Sequence, residues 1–296
     1  MTSAAGIGLD IGATKTLGVL TDELGQVRAE VRIPTRPGAD GVLGTAVDVV
    51  TDLRARTRSQ LWPVGIGIPG LVDVELGAVR HAVNLDLDGT SLPLAAELES
   101  RLGLPVLVEN DVNAASIGAT SLLSPGARRD LAYISIGTGF AAGLVLDGHL
   151  RRGAHGAAGE IGYLLGPDPI PCFATGHAPL EELASGGALT TRGAALVGRD
   201  VTTVSELFDL PDRPDVAALL DTAVDALAAA VANLCIAVDP QRVVIGGGMM
   251  SAARHILPRI SALAARAVPF PPEIRAARFV HDAPLLGALA LALDAA

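Results

Sequence analysis

Hydrophobic and polar positions along the first third of the chain alternate in the way that is typical of β-strands joined by tight turns. Residues 5–35, "AGIGLDIGATKTLGVLTDELGQVRAEVRIPT", contain three β-rich runs separated by a glycine turn and by "DELG", which predicts a meander of hairpins. The pattern then predicts a helix from about Val42 to Ser59 and an apolar run with glycines, "VGIGIPGLVD". A loop that contains Asn84 and a helix near Leu92 to Leu102 follow. The short strand "PVLVEN" leads directly into another helical stretch, "DVNAASIGATSLL". This alternation predicts an α/β architecture with a mostly covered mixed sheet.

The same pattern starts again with "DLAYISIGTGFAAGLVLDGHLRRG", which also reads as strand, glycine turn, strand, acidic turn and strand. A constant offset aligns two glycines and one aspartate of the two copies: Gly12 with Gly137, Gly18 with Gly143, and Asp22 with Asp147. The shared spacing and hydrophobic pattern indicate an internal duplication. Two similar domains are expected to face each other across a cleft.

The last third of the chain is richer in predicted helix. A long apolar-faced helix ends before Pro240, the strand "QRVVIGGGMM" follows, and "APLLGALALALDAA" forms an apolar terminal helix. We predict a small N-terminal domain over 1–118, joined by the terminal helix 283–296, and a large C-terminal domain over 119–282.

Composition excludes several classes of protein. The 296 residues are 50% hydrophobic and 18% charged, which is enough to bury one large core or two modest ones. A net charge of -10 without a basic stripe argues against nucleic acid and anionic membranes as partners. The two cysteines lie far apart in sequence and predict no disulfide framework. The pattern contains neither a signal peptide nor an uncharged apolar run of membrane-spanning length, so the cytoplasm is the expected location.

Several glycine turns follow predicted strands, and they differ in what they indicate. "GIGIPG" matches the dinucleotide-binding fingerprint in spelling, but no helix follows Pro69, and the chain contains no GxxxxGK[ST] phosphate loop. "DIGATKT" and "IGTGF" remain. Each presents backbone N–H groups that can hold phosphate oxygens, with Thr14, Lys15 and Thr138 as further donors. Asp10 is suited to bind Mg²⁺ through water. The alternative is that both segments are simple hairpin turns.

The segment "ENDVNAA" places Glu109, Asn110 and Asp111 where a buried strand ends and a helix begins. Capping of the helix explains one such residue but not three, and Asn113 follows them. A carboxylate at a helix N-terminus is stabilised in its charged form and can accept a proton from a hydroxyl group. Carboxylates and amides together are what a polyol such as a sugar requires.

These segments resemble the ROK sugar kinases, within the actin, Hsp70 and hexokinase superfamily. "DIGATKT" and "IGTGF" resemble the two phosphate loops, "GIGIPGLVD" the sugar-side strand and "ENDVNAA" the catalytic segment, while "GAHGAAGEIGY" and "VVIGGGMM" extend the match along nearly the whole chain. The resemblance implies an α/β fold of two duplicated actin-like (ribonuclease H-like) domains. Each domain is a mixed sheet flanked by helices, with an active-site cleft between the two.

The resemblance also implies ATP-dependent phosphorylation of a hexose, glucose being the first expectation, with ATP and Mg²⁺ as cofactors and a homodimer as a possible assembly. Asp111 is implied as the base that deprotonates the sugar hydroxyl. The implied sugar-binding residues are Gly70, Asn84, Asn110, Asp111, Glu160, Tyr163 and Glu181. The implied nucleotide-binding residues are Asp10, Gly12, Ala13, Thr14, Lys15, Gly137, Thr138, Gly139, Gly246, Gly247 and Gly248, of which Asp10 holds Mg²⁺ through water.

One segment departs from the family pattern, in which "E-x-G-H" precedes a loop with three cysteines that, with this histidine, bind structural zinc. Tyr163 stands at the histidine position, and Cys172 is the only cysteine in the loop. Cys172 and His177 supply at most two of four ligands, so zinc is not expected and both are interpreted as ordinary loop residues. Tyr163 is expected either to offer its hydroxyl to the sugar or to fill the space. Prolines are expected to restrict the loop instead: Pro167, Pro169, Pro171 and Pro179.

Three alternatives stay open. The first is a kinase for mannose, fructose or an N-acetylated hexosamine, and the second is a protein that binds sugar with little or no turnover. The third keeps the kinase fold but uses polyphosphate as the donor. Asp10, Asp111, Glu160 and Glu181 argue against the second, and the acidic composition argues against the third.

Overall fold

The structure is a computed structural model that describes residues 5–22, 24, 26–56, 62–87, 89, 91–121, 130–165, 172–210, 212–278 and 283–294. The described residues form two compact units. Unit 1 comprises those within Met1–Pro125, Leu150–Ala158 and Asp282–Ala296, and unit 2 those within Gly126–His149 and Gly159–His281. Segment Leu150–Ala158 thus belongs to unit 1, although it lies within the range 119–282 predicted for the second domain. The division into domains 1–118 and 119–282 itself stays a prediction.

Unit 1 is built on a five-stranded mixed sheet and a small two-stranded one. The strands are β1 (Gly6–Ile11), β2 (Lys15–Thr21), β3 (Val27–Pro34), β4 (Val64–Ile68), β5 (Leu71–Asp73), β6 (Ala78–Arg80) and β7 (Val106–Asn110). The large sheet has the order β3-β2-β1-β4-β7, and β5 pairs with β6. The β1, β2 and β3 neighbours are antiparallel, as the predicted meander requires, whereas β4 runs parallel to both β1 and β7.

Three helices follow the strands of unit 1: α1 (Ala39–Ala55), α2 (Leu94–Leu102) and α3 (Asp111–Ser121). Helix α1 begins earlier than the predicted Val42, because the carbonyl of Gly38 already accepts a hydrogen bond from the Val42 N–H at 2.9 Å. Residues 57–59 of the predicted helix lie outside the described residues. Buried side chains of α1 and α2 pack with those of the sheet into one hydrophobic core.

Unit 2 has a second five-stranded sheet. Its strands are β8 (Leu131–Ile136), β9 (Phe140–Leu146), β10 (His149–Leu150), β11 (Arg242–Gly246) and β12 (Glu273–Ala276), in the order β10-β9-β8-β11-β12. The boundary with segment Leu150–Ala158 falls within β10. Here too the first three strands follow one another as in a meander, β11 pairs in parallel with β8, and β12 pairs in parallel with β11. In both sheets, therefore, the third, second, first, fourth and fifth strands follow one another, which is the topology that an internal duplication produces.

The helices of unit 2 are α4 (Pro179–Ala184), α5 (Gly186–Val197), α6 (Val204–Phe208), α7 (Pro214–Val238) and α8 (Ala253–Ala267). Within the described ranges, α7 is the one helix long and apolar enough to cross a membrane by length and composition. A mostly buried core helix meets the same criteria. The buried side chains of α7, which occur between Val216 and Cys235, lie in the hydrophobic core of unit 2. This burial accounts for the apolar character of the helix.

Helix α9 (Ala283–Asp294) returns the chain to unit 1, where it packs on β1, β4 and α3. The approach is very close, because a Cβ atom at Gly65 of β4 would overlap the carbonyl oxygen of Ala288. Likewise, a Cβ atom at Gly287 of α9 would overlap the carbonyl oxygen of Ala114 of α3. Only glycine permits these two contacts. Helix α9 thus supports the helix that begins with Asp111.

Candidate active site

The parallel strands of unit 1 bring the predicted acidic residues to one edge of the sheet. Asp10 of β1 pairs with Gly67 of β4, and Gly67 in turn pairs with Glu109 of β7. The carboxyl ends of parallel strands meet at the same edge, and in open α/β sheets ligands bind there. Asp10 and the junction of β7 with α3 therefore lie on the same side of unit 1.

The β1–β2 turn holds the first predicted phosphate loop. The Gly12 N–H closes the turn by donating to the Lys15 carbonyl oxygen at 2.9 Å. Ala13, Thr14 and Lys15 are exposed, and the carbonyl oxygen of Thr14 accepts a hydrogen bond from the Thr35 N–H at 3.2 Å. This bond fixes the turn to the end of β3 and leaves its side chains facing solvent, where they are accessible to a phosphate.

Asp111 is the first residue of α3, and its environment alters its acidity. Its residue surface is only partly exposed, and the protein surrounds the carboxyl group closely. Desolvation by this burial raises the pKa of Asp111 to about 6, although hydrogen bonds from the N–H groups of Val112 and of Asp111 itself oppose the shift. A carboxylate with this pKa is mostly ionised at neutral pH and yet is a better base than an ordinary aspartate.

Asn110 performs the capping that the sequence pattern predicted for one residue of this segment. Its Oδ1 atom accepts hydrogen bonds from the N–H groups of Val112 at 2.9 Å and Asn113 at 3.1 Å. Its Nδ2 atom donates to the carbonyl oxygen of Gly70 at 3.0 Å. Gly70 lies against Ala82, just before the short 3₁₀ turn that carries the exposed Asn84. Asn110 thus links the start of α3 to the loops on which Gly70 and Asn84 were predicted to face the sugar.

Glu109 is buried, and its partner is a residue that the sequence did not indicate. Its Oε2 atom accepts a hydrogen bond from Arg152 Nε at 2.6 Å, and its Oε1 atom accepts one from Asn113 Nδ2 at 3.1 Å. A buried carboxylate requires a cation or several hydrogen bonds, so a partner was to be expected. No sequence signal distinguishes Arg152 from the other arginines.

The second predicted phosphate loop, Gly137–Gly139, is the β8–β9 turn of unit 2. The Gly137 N–H donates to the Gly139 carbonyl oxygen at 2.9 Å, and the Gly137 carbonyl oxygen accepts from the Gly186 N–H at 2.8 Å. Thr138 lies beside Gly187, in the first turn of α5. The loop is therefore held against the N-terminus of α5, whose partial positive charge favours anions.

The glycines at the end of β11 and directly after it lie against the Gly137–Gly139 turn. A Cβ atom at Gly247, whose φ is 90°, would approach the carbonyl oxygen of Ile136 to 2.5 Å, and one at Gly137 would lie 3.6 Å from the N atom of Gly248. Gly246 pairs with Ser135 of β8. Two segments that were predicted separately to bind the nucleotide, Gly137–Gly139 and Gly246–Gly248, are thus neighbours in unit 2.

Glu160, Tyr163 and Glu181 form an acidic cluster in unit 2. Burial raises the pKa of the Tyr163 hydroxyl, and the nearby negative charges of Glu160 and Glu181 raise this pKa further. Gly162 lies against Glu181, since a Cβ atom at Gly162 would be 3.2 Å from the Glu181 Cβ atom. Glu181 Oε2 accepts a hydrogen bond from the Phe140 N–H at 2.9 Å. The cluster therefore adjoins the Gly137–Gly139 turn.

The loop that carries Cys172 and His177 is fixed by protein contacts in its described part. The buried Cys172 accepts a hydrogen bond at its carbonyl oxygen from the His177 N–H at 2.7 Å. His177 Nδ1 lies 2.9 Å from Glu182 Oε1, and this bond lowers the pKa of the exposed Glu182 carboxyl. The rings of Tyr163 and Phe173 meet edge to face with centroids 5.5 Å apart.

Two further predictions for this loop concern its prolines and zinc. Pro167, Pro169 and Pro171 lie outside the described residues, whereas Pro179 begins α4. Within the described ranges, no group of three or more His, Cys, Asp or Glu side chains is placed to hold a metal ion. That zinc is not bound stays a prediction.

The family profile described as ROK family matches residues 6–295. The chain belongs to the ROK family. The resemblance found in the sequence motifs is thereby confirmed, and so is the predicted α/β class with two mixed sheets flanked by helices, since solved ROK kinases share this actin-like fold.

Relatives within the ROK family include more than one enzyme. A glucokinase of Halalkalibacterium halodurans is 31% identical, with 95% of this chain and 92% of that protein covered. An N-acetylmannosamine kinase of Vibrio vulnificus is 32% identical, with 95% and 96% covered. Among solved structures, the ROK family glucokinase from Streptomyces griseus in complex with glucose and AMPPNP is 29% identical, with a TM-score of 0.79 and coverage of 97% and 99%.

Proposed function

We propose that this protein transfers the γ-phosphoryl group of ATP to a hydroxyl group of a hexose, with glucose as the first candidate. The observation that carries the proposal is the Asp111 carboxylate, which begins α3 beside the capping residue Asn110 and whose pKa is raised to about 6. A base of this strength, next to an amide that is fixed at both ends, is suited to remove a proton from a sugar hydroxyl.

The relatives indicate the enzyme class but not the sugar. As a member of the ROK family whose relatives include a glucokinase and an N-acetylmannosamine kinase, the chain is a sugar kinase, the class predicted from its sequence. Because the identities to the two relatives are 31% and 32%, they do not favour one sugar over the other. N-acetylmannosamine is therefore the second candidate substrate.

The reaction we propose requires few groups. Asp111 accepts the proton of the attacking hydroxyl, the sugar oxygen forms a bond to the γ-phosphorus, and the bond to the β-phosphate oxygen breaks to release ADP. Most of the catalysis comes from positioning and from stabilisation of the phosphoryl charge. The sugar hydroxyls are assigned to these residues: Gly70, Asn84, Asn110, Glu160, Tyr163 and Glu181.

The phosphates are assigned to the residues of glycine-rich turns. These residues are Gly12, Ala13, Thr14 and Lys15 in unit 1, and Gly137, Thr138, Gly139, Gly246, Gly247 and Gly248 in unit 2. Gly12 and Gly137 close these turns with their own N–H groups, and other backbone N–H groups of the turns and a few side chains are proposed to bind the phosphates. Support comes from the exposed β1–β2 turn and from the contact between the Gly137–Gly139 turn and Gly248. Glycine-rich turns of this kind direct several N–H groups at one anion.

Asp10 is the residue we assign to Mg²⁺. It lies near the end of β1, shortly before the proposed phosphate turn, and a single carboxylate with water ligands fits the preference of Mg²⁺ for oxygen. When bound, Mg²⁺ neutralises charge on the phosphate oxygens of ATP. Asp10 would hold and orient the hydrated ion beside the turn Gly12–Lys15.

The proposal includes a cellular setting. A small sugar and ATP are the expected partners, whereas the net charge of -10 disfavours nucleic acid and anionic membranes. We place the protein in the cytoplasm, where ATP is available, and a homodimer stays a prediction.

An ADP-release assay tests the proposed function. The full chain is incubated with Mg²⁺, ATP and one sugar at a time: glucose, mannose, fructose, N-acetylglucosamine or N-acetylmannosamine. We expect sugar-dependent release of ADP, with the largest kcat/KM for glucose, and almost none from the Asp111→Asn variant. Saturable sugar binding by calorimetry without ADP release would instead favour a sugar-binding protein without turnover. Phosphorylation of the sugar from polyphosphate but not from ATP would change the donor.

A further inference from the structure

Arg152 forms an ion pair with Glu109, which precedes the proposed base Asp111 by two residues. The Glu109 side chain is 2% exposed and that of Arg152 is 34% exposed, with Nε and Oε2 2.6 Å apart. The short distance is typical of a charge-assisted hydrogen bond. One end of this pair is thus accessible to solvent, and the other is enclosed in unit 1.

The Glu109 carboxylate transmits this pairing to α3. Its Oε1 atom accepts hydrogen bonds from the Asn110 N–H at 3.0 Å and from Asn113 Nδ2 at 3.1 Å. Asn110 in turn accepts from two N–H groups of the first turn of α3, which begins with Asp111. A single buried carboxylate therefore connects Arg152 with the backbone that carries both Asn110 and Asp111.

We propose that Arg152 is a positioning residue for the acceptor side of the reaction. It neutralises Glu109, and Glu109 can then hold the Asn110 backbone and the Asn113 side chain in the geometry that directs Asp111 at the sugar hydroxyl. Arg152 acts only through Glu109. The inference rests on the proposed function, because the acceptor side is defined by the reaction of Asp111.

The loop that carries Arg152 is held in place by contacts within unit 1. The carbonyl oxygen of Arg152 accepts a hydrogen bond from the Ala158 N–H at 3.0 Å, which closes the loop on itself. Gly156 lies against the carbonyl oxygen of Val72, where a Cβ atom would come within 2.6 Å. The loop Leu150–Ala158 therefore presents Arg152 to Glu109 from a fixed position, so that little backbone entropy remains to be lost when the pair forms.

No other described cation lines the cavity beside the pair. This cavity has a volume of about 310 Å³, and its other charged lining residues are the acids Glu75, Glu99 and Glu109 itself. Shortening Arg152 would enlarge this existing cavity rather than disturb close packing. The Glu109 carboxylate would then be buried without a cation, which is the costly half of a broken ion pair.

A double-mutant cycle tests the proposal. Arg152→Met, Glu109→Gln and the double variant Glu109→Gln/Arg152→Met are compared with wild type, and Arg151→Met serves as the matched control because Arg151 is exposed and adjacent. The neutral amide that Glu109→Gln introduces keeps an oxygen for Asn110 and Asn113 but needs no cation. We therefore expect Glu109→Gln to restore, in the double variant, activity that Arg152→Met alone removes.

The expected results separate positioning from general structural damage. Arg152→Met should lower kcat by about 10-fold to 100-fold, the cost of a small misplacement at the reacting centre, while KM for ATP changes by less than about 2-fold. Glu109→Gln/Arg152→Met should be clearly faster than Arg152→Met, and Arg151→Met should match wild type. If circular dichroism shows that Arg152→Met does not fold, Arg152→Lys provides the same comparison. We then expect a smaller loss of kcat, which Glu109→Gln again restores.

Three outcomes would overturn the inference. A double variant as slow as Arg152→Met, or slower, would mean that Arg152 acts on substrate by itself and not through Glu109. Equal kcat values for Arg152→Met and Arg151→Met would mean that the pair does not position the base. A large rise in KM for ATP would place Arg152 on the nucleotide side. The proposed function fails separately, if wild type phosphorylates none of the sugars in the panel.

Discussion

Glu181 accepts a hydrogen bond from the backbone N–H of Phe140 at 2.9 Å, and this bond connects α4 to the strand that follows the Gly137–Gly139 turn. One carboxylate thus belongs both to the proposed sugar cluster and to the support of a proposed phosphate turn. In unit 2, the two substrates are expected to be recognised by structures that share this residue.

Substitution of Glu181 is expected to affect both substrates. Glu181→Ala removes the acceptor for Phe140 and should raise KM for the sugar and for ATP, whereas Glu181→Gln keeps an acceptor oxygen and should raise mainly KM for the sugar. A lost hydrogen bond to a charged group corresponds to about 10-fold to 100-fold in affinity. Steady-state kinetics measures both constants, and Glu182→Gln at the neighbouring exposed position is the control. An unchanged KM for ATP in Glu181→Ala would contradict this dual role.

Asp111→Asn is expected to remove the general base. Turnover should fall by about 10²-fold to 10⁴-fold, with sugar binding largely kept because the amide preserves the shape of the side chain. The measurement is kcat from ADP release, together with sugar affinity by calorimetry. Near-normal turnover in this variant would refute the assignment of Asp111.

Asp111→Asn is also expected to change the stability of the folded protein. The folded-state pKa of Asp111 is raised from 3.8 to about 6, so the folded protein binds this proton more tightly than the unfolded chain. The resulting stabilisation is present below pH 3.8 and is lost as the pH rises through 6. At pH 8 Asp111 therefore destabilises the fold, and Asp111→Asn is expected to raise the free energy of unfolding by about 1 to 3 kcal/mol. Urea denaturation at pH 8 measures the free energy of unfolding of both proteins. A lower value for Asp111→Asn than for wild type would contradict the prediction.

The pH dependence of the reaction is expected to report on Asp111. Because only the ionised carboxylate accepts a proton, kcat/KM for the sugar should fall about 10-fold per pH unit below 6 and level off above it. An ordinary aspartate would place this fall near 3.8. The residual activity of Asp111→Asn should lack the fall, and a rate that stays constant down to about pH 5 in wild type would show that another group is the base.

Tyr163 is expected to influence the choice of sugar. Tyr163→Phe keeps the ring contact with Phe173 and removes the hydroxyl, whose pKa is raised by burial and by the charges of Glu160 and Glu181. If this hydroxyl binds the substrate, KM for the preferred sugar should rise about 2-fold to 10-fold, the equivalent of one neutral hydrogen bond. Phe173→Leu is the control for the ring contact. Identical relative rates across the sugar panel for Tyr163→Phe and wild type would reduce Tyr163 to a packing role.

Removal of metals is expected to distinguish Mg²⁺ from zinc. After incubation with a strong chelator and return of Mg²⁺ alone, activity should be fully restored, because Cys172 is held by hydrogen bonds at its carbonyl oxygen and His177 by Glu182. Elemental analysis should find no stoichiometric zinc. Activity that returns only when zinc is added would contradict the prediction and would require ligands beyond Cys172 and His177.

The sequence predicted those features that depend on short-range pattern. The meanders, the short buried strand "PVLVEN" and the presence of a capping residue in "ENDVNAA" are encoded by alternation, turn glycines and side-chain chemistry within a few positions. One residue of this segment could thus be expected to cap the helix, and the structure shows that it is Asn110. The family resemblance followed from several such segments together.

Other features were beyond prediction because they depend on distant segments meeting. Arg152 reaches Glu109 across 43 positions, and the sequence contains no signal that selects this arginine or assigns its loop to unit 1. The bond between His177 and Glu182 spans only five positions, yet it depends on how the loop turns into α4. The raised pKa of Asp111 likewise reflects burial by the surrounding protein, which no local pattern reveals.

The packing of α9 on β4 and α3 has a consequence for synthesis of the protein. Helix α9 follows all of unit 2 in the chain, so a ribosome completes unit 2 before it makes the segment that covers Gly65 and Ala114. Until then, the apolar face of the first sheet remains uncovered in the nascent chain. The helix that bears Asp111 therefore gains its final support only when α9 has emerged. The protein is thus expected to become catalytically active only after the rest of the fold has formed.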